Sequence, residues 1–179
     1  GTWRVSPRPA LDDLGIYYDP AAESRLERLI AASVELPHFA LARADALRRR
    51  LIAARVSKYN LPAAPPGDLP EGHRILVPGQ VEDDASILTG GGEIRSNLGL
   101  LEAVRQANPE AVILYKPHPD VEAGLRAGRV ETGAALRLAD RVLAGVDPLA
   151  LIEAVDEVWT MTSALGFEAL IRGKPVTCL

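Results

Sequence analysis

The chain has 179 residues, of which 47% are hydrophobic, and its formal net charge at pH 7 is −4. This length and composition fit one folded domain with a sizeable core and exclude a disordered chain. The slight acidic excess excludes a broadly basic surface, so nucleic acid is not an expected partner. A single cysteine, Cys178, excludes an internal disulfide and a cage of thiolate metal ligands, and its apolar neighbours predict a packed thiol.

The sequence carries no targeting or membrane-spanning signal. No window approaches the roughly 18 uninterrupted apolar residues that cross a bilayer, and no basic stretch followed by an apolar core opens the chain. We therefore expect a soluble, cytoplasmic protein. Because the chain begins at Gly1 without a methionine and stops at Leu179 inside an apolar run, we also expect a longer polypeptide, truncated here at the C-terminus.

Residues 1–60 are predicted to form a helical N-terminal segment, with one helix starting at Pro20 and a second over residues 37–56. One face of the second helix is apolar, with Ala44, Leu47, Leu51 and Ala54. The opposite face is basic, with Arg43, Arg48, Arg49, Arg50 and Arg55. This basic face either contacts an anionic membrane surface or is simply solvated. The Pro- and Gly-rich residues 61–72 are predicted to be a linker.

In residues 73–179, short apolar runs alternate with amphipathic stretches. Strands are predicted at 74–77, 112–115, 157–161 and 175–179. Helices are predicted at 97–107, 121–126, 133–143, 149–154 and 164–172. This alternation is typical of an α/β protein with a Rossmann-like parallel sheet and helices on both faces. The Gly-rich residues 89–92 lack the spacing of a dinucleotide or P-loop fingerprint and are predicted to be a mobile loop.

Polar clusters follow three of the predicted strands, at residues 80–84, 116–120 and 162–163. Because parallel strands share one carboxyl edge, a ligand in that crevice would contact all three clusters.

Thr162 and Ser163 open a predicted helix. Ser163 is a suitable N-cap, and a phosphate could bind at this helix start; the alternative is a hydroxyl that only caps the helix. Glu168, one turn further on, would reach a ribose hydroxyl or else be a solvated surface carboxylate. Gly173 fits the position just past the helix end.

His118 lies between Pro117 and Pro119, which hold it in a rigid loop. An imidazole can donate to a phosphate oxygen or protonate a leaving group, and Lys116 adds positive charge. The alternative is a loop histidine bonded to a backbone carbonyl.

Glu82, Asp83 and Asp84 form an acidic cluster after a Pro-Gly turn. Adjacent carboxylates raise each other's pKa, as a general base or nucleophile requires, and they can also hold a divalent cation. The alternative is an exposed acidic loop.

Taken in order, these motifs resemble the capsule polysaccharide biosynthesis family, and within it the KpsC-type β-Kdo transferases. The motifs are QVEDD at 80–84, KPHPD at 116–120, TSALGFEAL at 162–170 and GKPV at 173–176, with SKYN at 57–60. The resemblance covers residues 57–179.

The resemblance implies a retaining glycosyltransferase that transfers Kdo from CMP-Kdo to a glycolipid acceptor, with this chain as one nucleotide-binding half of a GT-B fold. It implies that His118, Thr162 and Ser163 contact the CMP phosphate. The acidic motif would carry the catalytic carboxylate, with Asp84 preferred and Asp83 next. We expect no metal or other cofactor, because protein groups can neutralise the leaving CMP.

Expected partners are a nucleotide sugar, a lipid-linked saccharide acceptor, the inner face of the cytoplasmic membrane and other capsule-assembly proteins. Three alternatives remain open: another member of the same family with a different role, a nucleotide-sugar epimerase, and a non-catalytic domain that binds a nucleotide.

Overall fold

The computed structural model describes residues 13–58 and 63–179. The predicted helical segment and linker therefore lie partly outside the described residues, at 1–12 and 59–62. The family-like motif at 57–60 is described at its first two positions.

The N-terminal helices are α1 (Arg25–Ala32) and α2 (His38–Ala53), joined by a 3₁₀ turn at Ser33–Glu35. Helix α1 begins later than the predicted start at Pro20, because Ser24 forms a capping box with Glu27. The Ser24 hydroxyl accepts from the Glu27 amide, and the Glu27 carboxylate accepts from the Ser24 amide.

Helix α2 lies on the surface. Within the described residues neither N-terminal helix has a buried side chain, so the predicted apolar face of α2 is not buried. Polar contacts attach the end of α2 to the rest of the chain: Arg48 donates to the Ile171 carbonyl, and Arg55 pairs with Asp147 and Glu153.

A five-stranded parallel sheet forms the centre of the fold. Its strands are β1 (Arg74–Pro78), β2 (Val112–Lys116), β3 (Arg141–Val142), β4 (Glu157–Thr160) and β5 (Val176–Cys178). The spatial order is β3-β2-β1-β4-β5, and all neighbours are parallel, which confirms the predicted α/β class. The chain moves outward from β1 to β2 and β3, then returns to place β4 on the other side of β1. The carboxyl ends of β1 and β4 therefore mark the topological switch point, where open α/β sheets bind ligands.

Six helices connect the strands. They are α3 (Ala85–Gly90), α4 (Asn97–Ala107), α5 (Pro119–Glu122), α6 (Thr132–Ala135), α7 (Pro148–Ala154) and α8 (Ala164–Ile171). The predicted helix over 133–143 is wrong beyond α6, because Arg141 and Val142 pair with β2 as the short edge strand β3. The predicted loop at 89–92 is partly wrong, since α3 continues through Gly90.

Apolar side chains alternate between the two faces of β1. Ile75 and Val77 belong to one core with α4, whereas Leu76 belongs to a second core with α7. Helices therefore cover both faces of the sheet. The thiol of Cys178 is exposed, so its prediction as a packed thiol is wrong.

The described part of the predicted linker is docked against the sheet domain. Ala64 forms an isolated parallel bridge with Val146, and Leu69 packs against the second core. The domain boundary at residues 61–72 stays a prediction. In the described residues, none of the helices has both the length and the apolar character needed to cross a membrane.

Candidate functional site

A cavity of about 340 Å³ lies at the carboxyl edge of the sheet, beside the switch point between β1 and β4. Six of the eight predicted site residues line it: Asp84, Lys116, His118, Thr162, Ser163 and Glu168. The other two, Glu82 and Asp83, are not among the described lining residues. The parallel sheet thus brings together three clusters that are far apart in the sequence.

Ser163 is the N-cap of α8, as predicted. Its hydroxyl accepts from the Leu165 amide at 3.2 Å. The start of α8 therefore faces the cavity with the positive end of the helix dipole, an arrangement that favours an anion. Gly173 has a φ of +75° just past the helix end, which confirms its predicted position.

Gln80 joins the loops after β1 and β4. Its side chain is buried, and its Oε1 accepts from the Thr160 hydroxyl (3.0 Å), the Met161 amide (3.2 Å) and the Thr162 amide (3.0 Å). Its Nε2 donates to the Thr162 hydroxyl at 2.9 Å. The family-like motif contains Gln80, but no role was predicted for this residue from the sequence. The available signal was an amide side chain two residues after the end of a buried strand.

Asn97 holds the backbone of Gln80 in turn. The Gln80 amide donates to Asn97 Oδ1 at 2.8 Å, and Asn97 Nδ2 donates to the carbonyls of Gln80 (2.7 Å) and Gly128 (2.8 Å). Asn97 is 1% exposed, so this buried amide fixes the loop rigidly.

The three acidic residues have three different environments. Glu82 accepts from the Asn97 amide at 2.7 Å, and Asp83 pairs with Arg126 at 3.0 Å. Asp84, which lines the cavity, is the N-cap of α3 and accepts from the amide and hydroxyl of Ser86 at 2.9 and 2.6 Å. The three carboxylates therefore do not converge on one point.

The hydrogen bonds from Ser86 hold the pKa of Asp84 below its usual range. The expectation that clustering raises this pKa is wrong for Asp84, because Ser86 stabilises the ionised form. Among the described residues, no group of three or more His, Cys, Asp or Glu side chains is arranged to hold a metal ion.

His118 is the N-cap of α5, and its Nδ1 accepts from the Asp120 amide at 3.2 Å. This contact is with a backbone N–H; the alternative of a loop histidine bonded to a backbone carbonyl is not tested by it. An accepting Nδ1 assigns the ring proton to Nε2, so Nε2 is the donor nitrogen. Burial lowers the pKa of the imidazole, and the side chain is 17% exposed.

Lys116 ends β2 and lines the cavity with 6% exposure. Burial lowers the pKa of its ammonium group. Among the described residues, none of the salt bridges involves Lys116. A buried cation of this kind favours an anionic ligand.

Glu168 is 7% exposed, so the alternative of a solvated surface carboxylate is wrong. Its carboxylate accepts from the Ser57 hydroxyl at 3.0 and 3.2 Å and from the Lys58 amide at 2.7 Å. Ser57 and Lys58 also line the cavity. Ser57 and Lys58 belong to the family-like motif at 57–60, but nothing in the sequence indicated that Glu168 contacts them.

Comparison with known proteins places these features in a family. The sequence pattern described as "Capsule polysaccharide biosynthesis protein" matches residues 45–179. The capsule polysaccharide modification protein LipA of Neisseria meningitidis is 44% identical over 171 residues, covering 93% of this chain and 24% of LipA. The lipopolysaccharide-processing protein LpsZ of Rhizobium meliloti is 39% identical over 175 residues, covering 94% of this chain and 39% of LpsZ.

Solved structures of relatives share the fold, and two of them are compared with this chain. KpsC of Thermosulfurimonas dismutans described as "beta Kdo 2,7 transferase" has 40% identity and a TM-score of 0.73, over 93% of this chain and 50% of that chain. A second one, described as "beta Kdo 2,4 transferase", has 28% identity and a TM-score of 0.77, over 94% and 53%. The chain thus spans about a quarter of LipA and about half of each solved chain.

Proposed function

Because the chain belongs to the capsule polysaccharide biosynthesis family, of the KpsC type, we propose that it forms the donor-binding part of a glycosyltransferase. In this proposal the protein transfers Kdo from CMP-Kdo to a lipid-linked saccharide, and the chain is one half of a GT-B-type enzyme. The solved relatives described as β-Kdo transferases support this substrate class.

One observation carries the proposal: a single cavity gathers the groups that cleavage of a sugar–phosphate bond requires. Lys116, His118 and the capped start of α8 supply positive charge and hydrogen-bond donors to the cavity. Asp84, which lines the same cavity, supplies an ionised carboxylate. The first set stabilises the leaving phosphate, and the second stabilises the positive charge that develops on the sugar.

In the proposed reaction, the bond between the anomeric carbon and the phosphate oxygen breaks, and its electron pair leaves with CMP. Asp84 either bonds to the anomeric carbon or stabilises an oxocarbenium ion. The acceptor hydroxyl then attacks that carbon and forms the new glycosidic bond, the Asp84 carboxylate is released where it had bonded, and the hydroxyl proton passes to solvent. Retention of the anomeric configuration stays a prediction. The proton NMR spectrum of the product tests it, and an inverted anomer would contradict the two-step route through Asp84.

Contact with a membrane surface and with other capsule-assembly proteins also stays a prediction. Three of the five arginines on the predicted basic face pair with acidic side chains of this chain: Arg48 and Arg49 with Asp45, and Arg55 with Asp147 and Glu153. Those charges are partly neutralised, which weakens the argument for attraction to an anionic membrane.

Turnover of CMP-Kdo by the full-length protein tests the proposal. Asp84→Asn should reduce transfer by roughly 10³-fold or more while CMP still binds in calorimetry. Asp83→Asn is the matched comparison, because it neutralises the neighbouring carboxylate outside the cavity, and it should lose much less. Equal activity in Asp84→Asn and the wild type would contradict the assignment.

The same experiment separates the alternatives. CMP binding without transfer to any glycolipid acceptor would favour a non-catalytic domain, and release of an epimerised nucleotide sugar would favour an epimerase. Absence of CMP binding by the folded wild type would overturn the nucleotide site.

A further inference from the structure

The segment Ser57–Lys58 forms part of the cavity wall although it belongs to the N-terminal part of the chain. It follows α2 and reaches the carboxyl edge of the sheet, where Glu168 on α8 binds it. In the sequence, Lys58 lies 110 positions and Ser57 lies 111 positions before Glu168. Two distant parts of the chain are therefore fastened together at the cavity.

Both carboxylate oxygens of Glu168 accept hydrogen bonds from the Ser57–Lys58 segment. Oε1 accepts from the Lys58 amide at 2.7 Å, and Oε2 accepts from the Ser57 hydroxyl at 3.0 Å. A buried carboxylate is costly unless it is hydrogen-bonded, and bonds to an ionised acceptor are short and strong. Both oxygens are thus engaged in holding the Ser57–Lys58 segment.

The position of this segment brings the charge of Lys58 to the cavity. The pKa of Asp84 is lowered mainly by the Ser86 hydrogen bonds, and the pKa of His118 is lowered mainly by burial. The positive charge of Lys58 lowers the pKa of both side chains further. The ammonium group of Lys58 therefore acts on the carboxylate and the imidazole that line the cavity. Lys116 adds a second positive charge from the end of β2.

We propose that Glu168 is a positioning residue that fixes the Ser57–Lys58 segment so that Lys58 binds an anionic group of the donor. This inference rests on the proposed function. The anionic group is either the nucleotide phosphate or a carboxylate on the sugar, and both are recognised by an ammonium group in the same way. Glu168 then acts through Lys58 and does not bind the ribose.

Calorimetry on the full-length protein tests the role of Lys58, with CMP, cytidine and CMP-Kdo as probes. CMP-Kdo is titrated in the Asp84→Asn background so that it is not consumed. If Lys58 binds the phosphate, Lys58→Met should weaken CMP about 10-fold and leave cytidine unchanged. If it binds the sugar carboxylate, Lys58→Met should leave CMP unchanged and weaken CMP-Kdo by a similar factor.

Glu168→Gln tests the positioning role. It should lose most of the affinity that Lys58→Met loses, with cytidine again unchanged, and the double variant should be no weaker than Lys58→Met alone. Glu153→Gln is the matched control, because it removes a carboxylate that also contacts the N-terminal part, through Arg55, away from the cavity. Ser57→Ala removes one bond without leaving an altered buried charge, and it should give a smaller loss in the same ligand if Glu168→Gln fails to fold.

Three results would overturn the inference. The first is no effect of Lys58→Met on the affinity for either anionic ligand, and the second is full additivity of the losses in binding free energy caused by Glu168→Gln and Lys58→Met. The third is an equal loss of cytidine and CMP affinity in Glu168→Gln, which would assign Glu168 to the nucleoside. In each case CMP binding by the wild type and its loss in His118→Ala would leave the proposed function standing. No CMP binding by the folded wild type would overturn the proposed function instead.

Discussion

Replacing Gln80 with leucine should destabilise the protein and misplace the loop after β4. Leucine has a similar size but neither donates nor accepts. The change would leave the Thr160 hydroxyl, the Met161 amide and the Thr162 amide without this acceptor. The Thr162 hydroxyl would lose the donor Nε2 of Gln80 and keep its 3.2 Å contact with the Ser86 hydroxyl. These groups position the residues just before α8, which begins at Ala164.

The expected size of the effect follows from those bonds. A net contribution of about 1 kcal/mol for each of the four gives about 4 kcal/mol, and buried donors without partners can add to the loss. Water entering the cavity would recover part of this for Thr162, which is only partly buried. We therefore expect the free energy of unfolding to fall by about 3 kcal/mol, a large share of the roughly 5–15 kcal/mol of an ordinary domain.

Urea unfolding followed by circular dichroism measures this loss. Gln106→Leu is the matched control, because Gln106 is exposed on α4 and the same substitution there should change stability by less than about 0.5 kcal/mol. Gln80→Glu keeps the accepting oxygens and should fall between the two. A loss below about 1 kcal/mol in Gln80→Leu would refute the view that this amide joins the two loops.

Two further predictions concern pH and packing. Burial lowers the pKa of His118, so below about pH 6.5 the unfolded chain binds more protons than the folded chain, and stability should fall as the pH drops through that range. Thermal unfolding measured against pH should show a flatter pH dependence of stability in His118→Asn than in the wild type. Identical pH profiles for the two proteins would contradict this. In Gly79→Ala the new Cβ would lie 2.8 Å from Tyr115 Oη and 3.2 Å from Pro117 Cα, so we expect a loss of roughly 1–3 kcal/mol in thermal unfolding and weaker CMP binding. Gly133→Ala, with nothing within 4 Å of its Cβ, should be neutral or slightly stabilising, and equal losses in both variants would refute the packing argument.

The central strands could be predicted from the sequence because each of them consists largely of consecutive apolar residues. β1 and β2 are buried on both faces, and such strands appear as continuous apolar runs that need no tertiary information. Helix α4 was predicted with its observed bounds, because its apolar side chains recur at helical spacing and Ser96 caps its start.

The errors fall where structure depends on distant partners. β3 has two paired residues, too few to show an alternating pattern, and it exists because it extends the edge of β2. The role of Gln80 depends on Thr160 and Thr162, which lie 80 and 82 residues away. The burial of Glu168 likewise depends on α2 delivering Ser57 to the sheet edge. A single sequence shows none of these pairings.

The three carboxylates of the acidic motif, at residues 82–84, have different partners and therefore different roles. Its three carboxylates are adjacent in the sequence, but the loop directs Glu82 to α4, Asp83 to Arg126 and Asp84 to the cavity. Because the Ser86 hydrogen bonds keep Asp84 ionised, it is poorly suited to donate a proton and well suited to attack or stabilise a cationic sugar. A phosphate leaving group needs charge neutralisation more than protonation, so an ionised carboxylate in the same cavity as cationic groups is sufficient for the proposed reaction. The low pKa of Asp84 is therefore consistent with a nucleophile or cation stabiliser, and it argues against a general acid at this position.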